Sequence, residues 1–217
     1  MLVKWRLGLN LFPEKATCGS CPSETLDQFG QHALTCKRGP GICRRHNTLR
    51  DCIADYCRRA QLNPILEAGS GYLNQTRPAD ILLPTWNLGR DAALDVTVVN
   101  PLNNSNIEGA IIPGQITEEA ADRKHRNNDA KCLELGWECI PIVVSSYGGW
   151  GSEASVFFDS LSSRVAMQTV SAKADIKRAL FIRLSCTLMR ANAQILVSRS
   201  LHFVGRTEID LGGDPIE

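Results

Sequence analysis

Apolar residues recur at two spacings along this chain, and each spacing predicts a different kind of element. Leu49, Ile53, Tyr56 and Ala60 follow one another at helical intervals, which predicts a helix over residues 45–62 that covers a sheet. Runs rich in β-branched and other apolar residues predict strands near 65–73, 77–83, 91–99 and 138–145. The chain is therefore expected to contain both helices and a sheet of several strands.

A second helix is predicted over residues 117–135, between the last two strands. Glu118 and Glu119 suit its first turn, where acidic side chains favour the helix dipole, and Gly136 suits its end. Two more helices are expected over 153–167 and 172–198. Because a helix crosses over between two strands, the sheet should be mixed and the fold class α/β.

Breaks in these patterns divide the chain into three predicted parts. Residues 1–42 are expected to hold a short strand over 5–12 and a small module rich in Cys and His, and residues 43–163 to form the α/β core. Residues 164–217 are expected to be a basic helical extension with a frayed tail from Gly205. The segment 100–115 shows neither periodicity, so we predict a loop that borders a substrate groove.

Two acidic residues lie at or in predicted strands that should pair with each other. Asp80 leads into Ile81, and Asp95 lies inside the run Leu94-Asp95-Val96-Thr97-Val98-Val99. In a strand, Leu94, Val96 and Val98 share one face, and Asp95, Thr97 and Val99 share the other. A carboxylate in such a strand needs a partner or a metal, because a lone buried charge is very costly. A pair of carboxylates on rigid strands is suited to Mg²⁺, which prefers oxygen ligands in octahedral geometry.

A second group of residues has the spacing of a zinc site. Cys18, Cys21, His32 and Cys36 follow the pattern C-x2-C-x10-H-x3-C. Two thiolates from one tight turn and a more distant His/Cys pair supply the four ligands of a closed tetrahedral zinc site. The alternative is that these are four unrelated buried residues. The other cysteines are interpreted as small core residues: Cys43, Cys52, Cys57, Cys132, Cys139 and Cys186.

Taken in order, these motifs resemble the C-terminal endonuclease region of reverse transcriptases from site-specific non-LTR retrotransposons. In that family a CCHC motif precedes a restriction-like endonuclease domain of the PD-(D/E)XK type. The resemblance covers about residues 5–160. It is carried by the Cys/His motif, the stretch Arg45-His46-Asn47-Thr48-Leu49-Arg50-Asp51, Glu67, Arg77-Pro78-Ala79-Asp80, Leu94-Asp95-Val96-Thr97-Val98, the helix with Lys124, the strand from Cys139 to Val144, and Tyr147-Gly148-Gly149-Trp150.

The resemblance implies a restriction-endonuclease-like mixed sheet flanked by helices, with a small N-terminal zinc module and a C-terminal helical segment. It also implies a metal-dependent DNA endonuclease in which Asp80, Asp95 and the backbone carbonyl of Val96 hold Mg²⁺ or Mn²⁺. Glu67 would be the upstream acid of that site. Thr97 stands where the family has its lysine, so the lysine is expected to come from the helix over 117–135.

Several assignments stay open on the sequence alone. Lys124 and Lys131 lie two helical turns apart and share a face, and Lys124 is preferred because it matches the lysine position of the related elements. Asp51 and Asp55 are alternatives to Glu67, since the upstream acid often lies on the first helix. Tyr147 and Trp150 have either a base-stacking or a core-packing role, and core packing is preferred. His46 has either a helix-start, a phosphate-contact or a zinc-ligand role.

Charge and cysteine usage set the expected partners and compartment. The net charge is only +1, but basic residues are concentrated before residue 63 and again after residue 163, on either side of an acidic strip. This distribution suits a polyanion held over a metal centre, although solvated helix faces are an equally good interpretation of either flank. The predicted nucleic-acid contacts are Arg44, Arg45, His46, Arg50, Arg77, Arg123 and Arg126.

The expected partner is therefore DNA, with RNA left open, and a reverse transcriptase region is expected in a full-length relative. An odd count of nine cysteines and the lack of an N-terminal apolar segment predict a nuclear or cytoplasmic chain with no membrane partner. No run was expected to approach a membrane span. Two other functions are considered, a catalytically inactive zinc-containing remnant that binds nucleic acid and a zinc-stabilised interaction module.

Overall fold

The computed structural model describes residues 1–21, 24–67 and 79–204, and within this part the side chains up to residue 199. The elements along the described chain are α1 (Leu2–Arg6), α2 (Gln31–Thr35), α3 (Gly41–Arg59), β1 (Ile65–Leu66), β2 (Ile81–Asn87), β3 (Arg90–Val99), a 3₁₀ turn (Gly109–Ile111), α4 (Gln115–Glu134), β4 (Trp137–Ser145), α5 (Ser152–Thr169) and α6 (Lys173–Val204). The class is α/β, as the sequence predicts.

The sheet has four strands in the order β1-β2-β3-β4. Strand β2 is antiparallel to both β1 and β3, with Ile81 opposite Leu94. Strand β4 runs parallel to β3, with Pro141 opposite Asp95, and α4 makes the crossover between them. The sheet is therefore mixed. A parallel pair of strands needs a long connection, and helix α4 supplies it.

Helices cover both faces of the sheet, and the side-chain period of β3 explains how. Leu94 and Val96 pack into the main core with residues of α3, α5 and α6, such as Ile53, Phe158 and Leu184. On the opposite face, Val99 packs with Val143 and with Ile116 and Ala120 of α4. The predicted alternation of β3 is therefore confirmed, and Asp95 lies on the face that α4 covers.

Residues Leu2–Arg6 form a short helix and residues 7–12 are in turns or irregular structure, so the strand predicted over 5–12 is wrong. Trp5 is 1% exposed and stacks on Tyr147 with 4.4 Å between ring centroids. A single helical turn is enough to place this ring, and Gly8 then redirects the chain with a φ of 64°. The contact also assigns Tyr147 to packing, and Trp150 packs edge-on against Phe158 at 5.0 Å.

Helix α6 joins two hydrophobic cores. Leu180, Leu184 and Leu188 pack against the sheet side, whereas Ile195 and Leu196 pack with Trp5, Phe12 and the cysteine module. By length and composition alone the segment Lys173–Arg199 is apolar enough to cross a membrane, with a mean hydropathy of 1.2 and 39% of that window buried in the fold. The sequence expectation that no run approaches such a span is thus wrong, and packing on two cores accounts for the apolar residues.

The remaining differences concern element boundaries. Helix α3 begins at Gly41, four residues before its predicted start, and β2 continues to Asn87. The segment predicted as a loop over 100–115 contains the short turn Gly109–Ile111. Helix α4 is followed by Gly136 with a φ of 72°, as predicted for its stop. Most of the strand predicted over 65–73, the start of that over 77–83 and the tail from Gly205 lie outside the described residues.

Candidate active site and metal centre

A cavity of about 460 Å³ opens beside the ends of β2 and β3, where the two predicted acids lie. The side chains around it that matter for chemistry are Arg45, His46, Asp80, Asp95, Thr97, Lys124 and Asn128. Helix α3, the residues just before β2, strand β3 and helix α4 all contribute to this wall. The cavity therefore depends on four segments that are distant in sequence.

Strand pairing brings the two acids together. The backbone N–H of Asp80 donates to the carbonyl of Leu94 at 2.9 Å, which places Asp80 next to Asp95 across the ladder. Its side-chain Oδ2 accepts the N–H of Val96 at 2.7 Å. The backbone of β3 thus holds the carboxylate of Asp80, and the observed contribution of Val96 is its N–H donor.

Helix α4 supplies the lysine that the strand lacks. Lys124 Nζ donates to Asp95 Oδ1 at 2.9 Å, and one turn later Asn128 Nδ2 donates to Asp95 Oδ2 at 2.7 Å. Thr97 lines the cavity but has no cationic group. Lys131 lies at an exposed position of α4 and is not among the residues that line the cavity. Of the two lysines, the structure brings Lys124 to the acids.

His46 belongs to this group, which the sequence interpretation had placed among the nucleic-acid contacts. Its Nε2 lies 3.0 Å from Asp80 Oδ2, and its Nδ1 lies 3.1 Å from Asn47 Oδ1. The signal was present in the helical period, because His46 shares the face of Leu49 and Ile53 that covers the sheet. Asn128 was missed because a helix period does not identify which polar residue meets a strand.

The two acids differ in proton affinity. Burial raises the pKa of Asp95, the negative charge of Asp80 acts in the same direction, and Lys124 opposes both. Burial also acts to raise the pKa of Asp80, but the contacts with His46 and the Val96 N–H outweigh it and lower the pKa. Neighbouring carboxylates in one cavity repel each other, and a divalent cation would relieve that repulsion.

Glu67, the predicted upstream acid, forms an ion pair with Arg50. Glu67 Oε1 accepts from Arg50 Nη1 at 2.6 Å, and Asp51 accepts from Arg50 Nη2 at 2.8 Å. The third alternative, Asp55, pairs with Arg183 at 3.0 Å. The carboxylates of Glu67 and Asp51 are thus linked through one buried guanidinium, and neither residue lines the cavity.

The predicted nucleic-acid contacts fall into two groups. Arg44, Arg123 and Arg126 are exposed, and His46 is half-buried in the cavity. Arg45 and Arg50 are 4% and 8% exposed, so their guanidinium groups are largely enclosed by protein. Arg77 lies outside the described residues.

Much of the C-terminal basic flank is paired with acids. Lys173 and Lys177 both bind Asp159, at 2.5 and 2.8 Å, and Arg183 binds Asp55. Arg178 pairs with Asp175 one turn away. These pairs favour the interpretation of this flank as a solvated helix face.

The four predicted zinc ligands converge in the N-terminal module. Their ligand atoms all lie within 4.8 Å of one another. Cys18 and Cys36 are 3.9 Å apart at sulfur, Cys21 and Cys36 are 3.4 Å apart, and Cys21 Sγ lies 3.1 Å from His32 Nε2. Ligands around tetrahedral Zn²⁺ are separated by about 3.5–3.8 Å for the usual bond lengths. The group could therefore bind a zinc ion with small movements of the side chains.

Neighbouring groups orient these ligands. Glu24 Oε2 lies 2.8 Å from His32 Nδ1, which leaves Nε2 to face the cysteines. Asp27 accepts the backbone N–H groups of Gln31 and His32 at 2.9 and 2.6 Å and so fixes the start of α2. A carboxylate behind a metal-binding His is a common feature of zinc sites. The spacing pattern predicts neither Glu24 nor Asp27.

Proton affinities in this module differ between the thiols. Burial acts to raise the pKa of Cys18, but the backbone N–H groups of Ser20 and Cys21 and the ring of His32 lower it to about 6. Burial and the other two thiols raise the pKa of Cys21 to about 12. N–H groups directed at a sulfur favour the thiolate, which is the form that binds metal.

A second group of possible ligands lies on the far side of α4. His125, Asp129 and Cys139 have ligand atoms within 4.8 Å of one another. His125 already uses both ring nitrogens, at 2.8 Å from Asp129 and 2.9 Å from Glu153 of α5. We therefore interpret it as an ionic bridge between α4 and α5.

This bridge gives a pH prediction. Burial acts to lower the pKa of His125, but its two carboxylate partners raise it above the ordinary value. The stabilisation of the folded state by protonated His125 is thus complete below the unfolded pKa of about 6.5. It disappears as the pH rises through the pKa of His125 in the folded state. His125→Gln should cost about 0.2–1 kcal/mol in acid and less in alkali. Urea unfolding of both proteins at about pH 6 and about pH 9 measures the difference; an equal cost at both pH values would contradict it.

Comparison with known proteins leaves these sites to be argued from their own geometry. No protein-family model matches the chain, and no curated protein matches it.

Proposed function

We propose that the chain is a metal-dependent DNA endonuclease, derived from or part of a retrotransposon, with a restriction-endonuclease-like core. The observation that carries the proposal is the contact of Lys124 Nζ with Asp95 at 2.9 Å beside Asp80, inside an open cavity. A lysine next to two strand-borne carboxylates is the constellation expected from the resemblance to PD-(D/E)XK nucleases. Thr97 occupies the strand position of the lysine, and Lys124 approaches Asp95 from α4 instead.

The metal would be Mg²⁺ or Mn²⁺, held by Asp80, Asp95 and the carbonyl of Val96. Among the described residues, the hydrogen bonds to the side chain of Asp80 meet at Oδ2. Its Oδ1 is thus the better placed oxygen for a cation. Oxygen ligands on adjacent strands suit an ion that needs rigid geometry.

Lys124 would act on the attacking water. When bound, the metal would polarise a phosphodiester oxygen and lower the pKa of its water. The ammonium of Lys124 contacts Asp95 in this structure and therefore lies beside the metal ligands. It would orient that water or stabilise the developing negative charge. His46 would position Asp80 through their 3.0 Å contact. The resemblance implies a product with a 3′-hydroxyl.

The remaining parts of the proposal follow the same resemblance. The Cys/His module would hold a structural zinc ion, and DNA would be the substrate, with RNA as an alternative ligand. A reverse transcriptase region would belong to a full-length relative. The chain itself would be located in the nucleus or cytoplasm, with no membrane partner. The exposed residues Arg44, Arg123 and Arg126 would contact phosphates.

A second candidate is a catalytically inactive remnant that binds nucleic acid. Two observations favour it. Thr97 lines the cavity without a cation, and both carboxylate oxygens of Asp95 already accept hydrogen bonds from Lys124 and Asn128. Asp95 is thus satisfied by protein groups without a cation, although each of its oxygens keeps a further lone pair.

Plasmid nicking with Mg²⁺ tests the proposal, with Lys124→Ala and Lys131→Ala as a matched pair on one helix. Lys124→Ala should lower the cleavage rate by about 10²–10⁴-fold with a small loss of affinity, because the group beside the attacking water is removed. Lys131→Ala should mainly weaken binding and reduce its salt dependence. The reverse pattern would transfer the role to Lys131. Absence of nicking by the parent chain, with intact binding, would favour the remnant.

A further inference from the structure

A second cavity, of about 220 Å³, lies between the cysteine module and helices α3 and α6. Ser20 of the Cys18–Cys21 turn forms one side, Gly41, Arg44 and Arg45 at the start of α3 form another, and Ser198 and Arg199 of α6 form the third. The cavity is several times larger than the space of about 30 Å³ that one water takes in the liquid. It therefore has room for a small polyatomic ion.

Two of the arginines in this wall are buried. Arg45 and Arg199 are each 4% exposed. Arg45 donates to Asn192 Oδ1 at 3.0 Å and to the carbonyl of Leu34 at 3.3 Å, and Arg199 donates to the carbonyl of Arg38 at 2.7 Å. All of these acceptors are neutral. Within residues 1–21, 24–67 and 79–199, no carboxylate pairs with either guanidinium.

Each of these arginines also has an unused donor. The Nε atoms of Arg45 and Arg199 are buried and make no hydrogen bond to the described protein atoms. Buried cations are normally paired, because removing a charge from water costs several kcal/mol even after relaxation. Two of them in one wall, with exposed Arg44 beside them, create a positive potential that an anion would offset. Burial also lowers the pKa of Arg45 to about 10.

We propose that this cavity is a phosphate-binding site that holds a backbone phosphate of a nucleic-acid strand. Guanidinium groups bind phosphate oxygens through paired N–H donors, which distinguishes them from lysine as phosphate ligands. Arg45 lines both this cavity and the one with Asp80 and Asp95. A strand anchored here would therefore be held directly beside the candidate metal centre. The identity of the ligand as nucleic acid rests on the proposed function, whereas the anion site itself does not.

Arg199→Gln tests the site and leaves the candidate catalytic residues unchanged. The matched control is Arg178→Gln on the same helix. Arg178 is exposed and pairs with Asp175. Arg199→Lys keeps the charge. We expect inorganic phosphate to raise the melting temperature of the parent chain, of Arg178→Gln and, more weakly, of Arg199→Lys, but not of Arg199→Gln. The slope of log K for DNA against log salt should fall by about 0.9 in Arg199→Gln only.

The outcomes separate this site from the nuclease proposal. Phosphate stabilisation that Arg199→Gln abolishes supports the anion site even if no variant nicks DNA. If phosphate stabilises the chain in this way but the DNA salt slope is unchanged, the site holds a free anion and the nucleic-acid assignment is overturned. If phosphate stabilises Arg199→Gln as much as the parent, the site is overturned even if the parent nicks DNA. Zinc content and far-UV circular dichroism establish that each variant is folded.

Discussion

Asp80→Asn and Asp95→Asn are each expected to abolish Mg²⁺-dependent nicking and to leave DNA binding equal or tighter. Each change replaces an anionic metal ligand with a neutral amide that binds a hard cation poorly. Each also removes a negative charge next to the phosphates of the substrate. In Asp95→Asn the ammonium of Lys124 loses its partner at 2.9 Å, which leaves it to attract phosphate.

The control for this pair is Asp91→Asn on the same strand. Asp91 lies at the start of β3, where its Oδ1 accepts the N–H of Thr85 at 2.9 Å, and it is not among the residues that line the cavity with Asp80 and Asp95. It should nick at the parental rate. Nicking by Asp80→Asn and Asp95→Asn at parental rates would show that the metal site is misassigned, and the nuclease proposal would then fail.

Zinc removal should have the second large effect. The purified, reduced chain is expected to contain one tightly bound Zn²⁺, because Cys18, Cys21, His32 and Cys36 form a complete set of ligands. Metal binding of about 10–16 kcal/mol in comparable sites is inseparable from folding of the module. Cys36→Ser or a strong chelator should therefore unfold residues 1–42, whereas the sheet should stay folded.

Amide hydrogen exchange identifies the residues that lose protection when zinc is removed. Because Ile195 and Leu196 pack in the same core as Cys18 and Trp5, the end of α6 should lose protection together with the module. The control is Cys43→Ser, an exposed thiol just outside the ligand set, which should keep both zinc and protection. Metal analysis that finds no zinc in a freshly prepared parent sample would refute the assignment.

The limits of sequence inference are clearest at the cavity with Asp80 and Asp95. The period of β3 was sufficient to place Asp95 on the face opposite Leu94 and Val96, because side chains alternate strictly along a strand. The choice between Lys124 and Lys131 was not determined, since both share a helix face. It depends on how far α4 is shifted along β3, which packing decides: Lys124 and Asn128 meet the two oxygens of Asp95.

The strand predicted over 5–12 shows the same limit at the N-terminus. The local sequence predicts a strand there, whereas Trp5 lies in a short helix and stacks on Tyr147, far along the chain. Local propensity is a weak guide where one tertiary contact buries a large aromatic side chain.

The sequence by itself determined the α/β class, the pairing of the strands that bear Asp80 and Asp95, and the Cys/His group, since these depend on periodicity and fixed spacing. Only the tertiary structure decided that His46 contacts Asp80, that Glu24 orients His32, and that two arginines far apart in the chain share one buried wall. These contacts join elements whose relative positions are set by the packing of the whole core, and no local pattern encodes such positions.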